Sequence, residues 1–304
     1  MLGNPFASVY FPGILQVVGG LLGGALLVIA AIARFRWPDL TRGVLFRRWL
    51  VWAIVAPTFI LAVLAGAPTF GVLLALLAIQ GLREYGRLVG LPPAYRAGLM
   101  VAGALVAPAA LLAREAFVAL PVAVLLAGML RLVVWRDGTG DVRHLAFAAL
   151  GWGYVAWLPG HLMLIHTGTA AGPAVLLVIA LATALSDVGA FAFGRLCGRT
   201  PLAPTISPGK TREGVIGNVA GAYLGVGLLT LAFPVPIFGA VGVLLPLVIA
   251  VGAVWGDLVE SAIKREFGAK DAGAWLPGFG GLLDRVDSLL VVAPLTFYVL
   301  LLTA

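Results

Sequence analysis

Long apolar runs constrain this chain more than anything else in it. Residues 49–82 and 214–256 contain no Asp, Glu, Lys or Arg. About 20 consecutive apolar residues, wound as a helix so that each N–H and C=O is bonded within the segment, cross the hydrocarbon of a bilayer. Hydrophobic residues are 62% of the 304 and charged residues 11%, whereas a soluble domain carries roughly 25% charge. The expected class is therefore an all-α, polytopic integral membrane protein. Ten spans are predicted, at 12–33, 48–64, 67–82, 98–113, 116–134, 145–165, 173–194, 215–233, 237–256 and 288–304. Several are short for a full crossing, so nine is the alternative count, and the pair over 48–82 also reads as a hairpin around Gly66-Ala67-Pro68. No polar region exceeds about 30 residues, which points to one membrane-embedded unit without a separate soluble domain. The single cysteine, Cys197, excludes an internal disulfide and reads as a small buried apolar side chain. The first residues lack the basic stretch that precedes the apolar core of a cleaved signal.

The net charge of +7 is explained by topology. With the N-terminus outside, loops 34–47, 83–97, 135–144, 195–214 and 257–287 face the cytoplasm. Together with Arg48 and Arg131 at adjoining helix ends, they hold 19 of the 20 Lys and Arg, and only Arg114 lies outside. This is the asymmetry of the positive-inside rule. The bases are scattered over short loops, not aligned along one face, so no nucleic-acid partner is expected. One-sided charge also counts against a transporter or channel, whose acids would line a path across the bilayer.

Charge is concentrated in 257–287. This segment holds the acids Asp257, Glu260, Glu266, Asp271, Asp284 and Asp287 and the bases Lys264, Arg265, Lys270 and Arg285. If 257–267 is helical, Asp257, Ser261 and Lys264 recur at i, i+4 and i+7 and share one face. Gly280-Gly281 permits positive φ and close approach of backbone to a ligand. Asp284, Asp287 and Ser288 fall on one face of the first turn of the last span, where the helix dipole favours negative charge. Asp257 and Asp284 are thus carboxylates at opposite edges of one loop. Without His or Cys beside them they suit a hard cation such as Mg2+, while pairing with neighbouring Lys and Arg is the plainer reading. Glu260 with Lys264, and Glu266 with Lys270, are expected to be surface i,i+4 pairs.

A second polar constellation lies at 186–214. Ser186-Asp187 sits inside an apolar run, and an acid there marks either a site or a packing hydrogen bond. Ser207-Pro208-Gly209-Lys210-Thr211-Arg212-Glu213-Gly214 precedes a span. Its Gly, Lys and Thr echo a phosphate loop, but G-x-x-x-x-G-K-S/T is absent because position 204 is Pro. Such a cluster opening a helix still suits phosphate, and equally suits a basic flank with a helix cap. His144, His161 and His166 read as interfacial or packing residues, and Glu84-Tyr85 as a cytoplasmic helix end within reach of the site.

Segment 261–287 resembles the signature of the phosphatidate cytidylyltransferases (CDP-diacylglycerol synthases), S-x-x-K-R-x(4)-K-D-x-G-x(2)-L-P-G-H-G-G-x(2)-D-R-x-D. It is matched by Ser261, Lys264, Arg265, Lys270, Asp271, Gly273, Leu276, Pro277, Gly278, Gly280, Gly281, Asp284, Arg285 and Asp287. Asp187, Gly194-Arg195, Gly198, Ser207-Pro208, Lys210-Thr211 and Glu213-Gly214 are similar to a second family segment, and Glu84-Tyr85 to its E-Y/F pair. One position departs: Phe279 stands where the family has His.

The resemblance implies transfer of CMP from CTP to phosphatidic acid, giving CDP-diacylglycerol and pyrophosphate. It implies one or two Mg2+ ions on Asp257 and Asp284, phosphate binding by Lys264, Arg265 and Arg285, and a cradle for CTP phosphates at Ser207, Lys210 and Thr211. Asp187 and Asp287 would orient this set, and Ser261, Lys270, Asp271, Gly280 and Gly281 would complete the substrate site. It covers roughly 47–300, so residues 1–46 read as an extra transmembrane helix with a basic loop, and 47–304 as the enzymatic unit. The implied place is the cytoplasmic (inner) membrane, with the site facing the cytoplasm, and a homodimer is the assembly considered. The alternatives are a CTP-dependent lipid kinase of the polyprenol or dolichol type, and a weakly active paralogue with another lipid substrate, which Phe279 motivates.

Overall fold

Apolar segments of this length fold as helices, and each of the ten expected spans is helical over most of its described residues in the computed structural model, which describes residues 3–36, 41–135, 141–234, 239, 241–275 and 280–303. After a short 3-10 turn, Pro5–Ala7, come α1 (Phe11–Ile32), α2 (Val44–Leu64) and α3 (Ala67–Leu88). α4 (Pro93–Ala104) and α5 (Val106–Leu112) form one span broken at Leu105. α6 is Arg114–Val134. α7 (Asp141–Trp152) and α8 (Leu158–Gly168) form another span, joined by a π-turn over Gly153–Trp157. α9 (Gly172–Cys197) leads into a hairpin of β1 (Pro201–Ala203) and β2 (Ser207–Thr211), followed by α10 (Arg212–Ala232), α11 (Val241–Glu266) and α12 (Leu283–Thr303). Among the described residues, nine helical segments are long and apolar enough to cross a membrane. α3, which ends on Arg83, Glu84 and Arg87, is not one of the nine. The chain is an all-α polytopic membrane protein with one small antiparallel hairpin.

Burial sorts the helices into an inner and an outer set. The most apolar window is 67% buried in the α7–α8 span and 50% in α9, against 6%, 0% and 6% in α1, α2 and α6. The first two lie at the centre. The last three turn most of their apolar surface, including Leu27, Ile54 and Leu126, outward to where lipid lies. α9 and α10 pack backbone on backbone. A methyl group at Gly217 would strike the carbonyl of Gly189, and one at Gly221 or Gly225 would strike Leu185 or Ala182. Small residues spaced by four let two helices approach this closely where no hydrophobic effect drives association.

Helix ends depart from expectation in a way that matters for the site. α11 runs unbroken through Asp257 to Glu266, and α12 starts at Leu283, five residues before the span predicted from 288. Both helices keep going because their acids face other polar groups inside the protein and so do not interrupt an apolar face. Ser207–Thr211, expected to open a helix, forms β2 instead, and α10 begins one residue later. There Thr211 Oγ1 accepts the Gly214 N–H at 3.1 Å, a side-chain cap on an otherwise unbonded helix-terminal donor. Cys197, expected to be buried, is exposed, because α9 runs on past Asp187 and ends at the turn into the hairpin.

Candidate active site

The signature segment is held by a buried ionic junction. Lys264, near the end of α11, pairs with Asp284 Oδ1 on α12 at 2.7 Å and also with Glu260 one turn back. The other oxygen of Asp284 accepts N–H bonds from Gly281 at 2.8 Å and Ala272 at 2.9 Å. Both oxygens of Asp284 are therefore bonded, and its side chain is 2% exposed. Glu84 on α3 reaches across 199 residues of sequence to accept the Leu283 N–H at 2.9 Å, and Gln80 donates to its other oxygen at 2.9 Å. A carboxylate at the first turn of α12 satisfies an orphan donor and complements the positive end of the helix dipole. The glycines of the signature fit around it. A Cβ at Gly281 would lie 2.5 Å from Glu84 Oε2, and one at Gly273 would lie 3.0 Å from its Cδ. Gly280 adopts φ +86°, which turns the chain into α12.

The second polar group is less saturated. Asp257 and Glu260 on α11 and Asp287 on α12 each offer an oxygen within 4.8 Å of the others. Glu260 is buried, and its Oε1 accepts no hydrogen bond among the described residues. Three carboxylates this close repel one another unless a cation is shared, and an oxygen-only donor set with a donor-free buried atom fits a hard divalent ion. Lys210, at the end of the hairpin, already reaches one of them, with Nζ 2.6 Å from Asp257 Oδ2. Ser261 donates to the other oxygen of Asp257 at 3.4 Å. Asp187 on α9 accepts from Ser288 of α12 at 3.2 Å, and Asp287 Oδ1 accepts the Ser288 N–H at 2.8 Å. The two predicted motifs, about 70 residues apart in sequence, thus meet where α9, α11 and α12 face one another beside the hairpin.

The remaining predicted residues lie around this centre. Arg265 is exposed and docks the hairpin turn, donating from Nε to the Ile206 carbonyl at 3.4 Å, while its NH1 donates to Ala269 O at 3.0 Å. Arg285, Lys270 and Asp271 are exposed at the rim, and Ser207 and Thr211 are half-buried along β2. Glu213 is not a rim group. Its carboxylate accepts the N–H groups of Arg199 and Thr200 at 3.0 and 3.2 Å and ties the end of α9 to the start of α10. Leu276, Pro277, Gly278 and Phe279, the departing position, lie outside the described residues.

One reading changes: Glu260 and Lys264, expected as a surface pair, are 1% and 8% exposed, because the helical face they share is turned onto α12. Of Asp257 and Asp284, expected to hold metal together, Asp257 lies with Glu260 and Asp287, while Asp284 bonds Lys264, which also pairs with Glu260 and so links the two groups. Sequence reasoning placed Glu84 within reach of the site and Glu260 in a surface pair, and gave neither of them a role in the site. An acid at the end of an otherwise apolar α3 was the available signal for the first, and the i+3 spacing from Asp257 for the second. His161 and His166 are packing residues as expected, each bonded to a backbone carbonyl and in contact with aromatic rings.

Comparison with known proteins identifies the family. Residues 46–303 match the model of the Cytidylyltransferase family. The uncharacterized protein YnbB of Escherichia coli is 37% identical over 184 residues, 57% of this chain and 60% of that protein. The phosphatidate cytidylyltransferase of Helicobacter pylori is 48% identical over 120 residues, 38% of this chain and 41% of the relative. That of Synechocystis is 32% identical over 276 residues, 80% of this chain and 92% of the relative. The chain thus spans about half the length of the first two relatives and nearly all of the third.

Proposed function

The chain belongs to the cytidylyltransferase family, and from that premise we propose that it transfers CMP from CTP to phosphatidic acid in a phospholipid-producing membrane. An oxygen of the lipid phosphate attacks the α-phosphorus of CTP, the bond from that phosphorus to the bridging oxygen of the β-phosphate breaks, and pyrophosphate leaves with CDP-diacylglycerol as the lipid product. The nucleophile is anionic at neutral pH, so the residues are needed to position it and neutralise charge more than to remove a proton.

The observation that carries this reading is the meeting of Lys210, from a phosphate-loop-like hairpin, with the carboxylates of Asp257, Glu260 and Asp287. Those three acids would hold Mg2+, one ion or two. When bound, the metal neutralises triphosphate charge and draws electrons from the reacting phosphorus. Lys210 moves from Asp257 to the triphosphate, with the Ser207 and Thr211 hydroxyls beside it. Arg265, Lys270 and Arg285 at the rim receive phosphate oxygens of nucleotide and lipid. Asp284, Lys264 and Glu84 act by fixing α12 against α11 and α3, and Asp187 through Ser288 fixes α9 against α12. Gly280 and Gly281 let the signature turn pass close to these groups. In this reading residues 47–304 form the enzymatic unit, residues 1–46 are an addition to it, and the site faces the cytoplasm from the inner membrane.

The test is turnover by purified protein in detergent with phosphatidic acid, Mg2+ and CTP labelled at the α-phosphate. Label in CDP-diacylglycerol, lost in Asp257→Asn, is the expected result. Label that enters lipid only from γ-labelled CTP, with CDP released, would replace this function by a lipid kinase.

A further inference from the structure

The span formed by α7 and α8 contains a π-turn, and its placement coincides with the acids. The Leu158 N–H bonds to Gly153 O, a step of five residues in place of four. The next residue, Pro159, has no N–H to offer the carbonyl four residues back, which removes one α-helical bond and favours the wider turn. A π-turn inserts an extra residue and so rotates the two flanking helical segments relative to each other, and such turns recur at functional sites. Here it carries Tyr154 inward to α11. The ring is 5% exposed, and the hydroxyl donates to the carbonyl of Gly256 at 3.0 Å across 102 residues.

Gly256 is a point of close approach between α11 and α12. A methyl group there would strike Asp287 O and lie 3.0 Å from Ser288 Cα. Gly256 also directly precedes Asp257. The Tyr154 hydroxyl therefore bonds the one peptide whose position sets both the origin of the Asp257 side chain and the gap to Asp287.

We infer that Tyr154 is a positioning residue for metal binding, pinning the Gly256 carbonyl so that the carboxylates of Asp257 and Asp287 converge. The inference rests on the proposed function in one respect, that those acids hold a divalent cation. Tyr154 need not touch the metal. It acts through the peptide next to one ligand and the helix gap that places another, whereas a partner bonded directly to a ligand side chain changes affinity about 10- to 100-fold. A smaller effect, roughly 3- to 10-fold, is expected from this more distant hold.

The test is Tyr154→Phe, which keeps the ring and removes the donor, with Mn2+ binding to the CTP-loaded protein in detergent followed by electron paramagnetic resonance. Mn2+ affinity should fall about 3- to 10-fold, and the Mn2+ concentration for half-maximal turnover should rise by the same factor, with a smaller fall in kcat. Tyr95→Phe is the control. It removes a similar bond, from a tyrosine hydroxyl to the Asp141 carbonyl at 3.2 Å, away from the acids, and should leave Mn2+ affinity as it was. Thermal melting of both variants reports packing separately. Unchanged Mn2+ affinity in Tyr154→Phe, or an equal loss in Tyr95→Phe, overturns the inference even where Asp257→Asn abolishes binding and so upholds the metal site. Absence of Mn2+ binding in the wild type overturns the metal reading, and this inference with it.

Discussion

The junction of Lys264, Asp284 and Glu84 and the group of Asp257, Glu260, Asp287 and Lys210 use the same residue types and both join α11 to α12, yet they are built in opposite ways. In the junction each carboxylate oxygen of Asp284 and Glu84 is bonded, and the partners include backbone N–H groups that cannot move without the fold. In the other group three acids crowd together, Glu260 Oε1 has no donor among the described residues, and Lys210 arrives on a small hairpin. In the reading proposed above, saturation suits the first to a support and its absence suits the second to a ligand. The chemical type of a residue does not separate the two roles, but the number of its unmet bonds does.

Substitutions can break or sharpen that contrast. The largest effect is expected from Asp257→Asn, which should lower turnover about 10³-fold or more, the scale of losing roughly 4 kcal/mol of charge stabilisation, while the melting temperature in detergent stays close to that of the wild type. Lys264→Met leaves Asp284 and Glu260 buried without their partner, and breaking a buried pair costs about 3–5 kcal/mol. Here the loss should show first in melting temperature and yield of folded protein. If Asp284→Asn melts like the wild type yet loses as much activity as Asp257→Asn, the two groups are one site and the contrast fails. Gly281→Ala puts a methyl group against Glu84 and the Gly273 N–H and should destabilise by about 1–3 kcal/mol, the usual cost of overpacking, measured by the same melts. The smallest effect has the opposite sign. Lys210→Met removes a partly exposed ion pair worth about 0.2–1 kcal/mol, so binding of free Mn2+ without nucleotide should tighten by a factor of about 1.4 to 5, even as turnover with CTP falls.

Much of this molecule is legible in its sequence because two of its constraints are local. A helix in lipid must be apolar along its whole length, so each span announces itself, and the signature at 261–287 keeps its spacing because α11 and α12 fix it at both ends. What sequence does not carry is the partnership between distant segments. Nothing in the neighbourhood of Glu84 names the Leu283 N–H, and nothing near Tyr154 names the Gly256 carbonyl. The i,i+4 spacing of Glu260 and Lys264 is the same on a solvated helix face and on one turned toward α12, so burial alone distinguishes them. The same limit applies to Asp284, whose place in a metal-like motif is visible in sequence, whereas the backbone donors that occupy it are not.

The glycine seam between α9 and α10 also bears on the pace of the proposed reaction. Helices in backbone contact have no side chains to slide, so the end of α9 and the start of α10 travel as one piece, and both feet of the intervening hairpin stand on it. Among the described residues, two side-chain contacts fasten the hairpin to α11, Lys210 to Asp257 and Arg265 to Ile206. A short flap on a fixed base opens on the nanosecond-to-microsecond scale of loop motion, far faster than turnover of about 1–10³ per second. Admission of nucleotide is therefore expected not to limit the rate, and kcat should be insensitive to added viscogen; a kcat that falls in proportion to viscosity would locate the slow step in a diffusive event such as release of product.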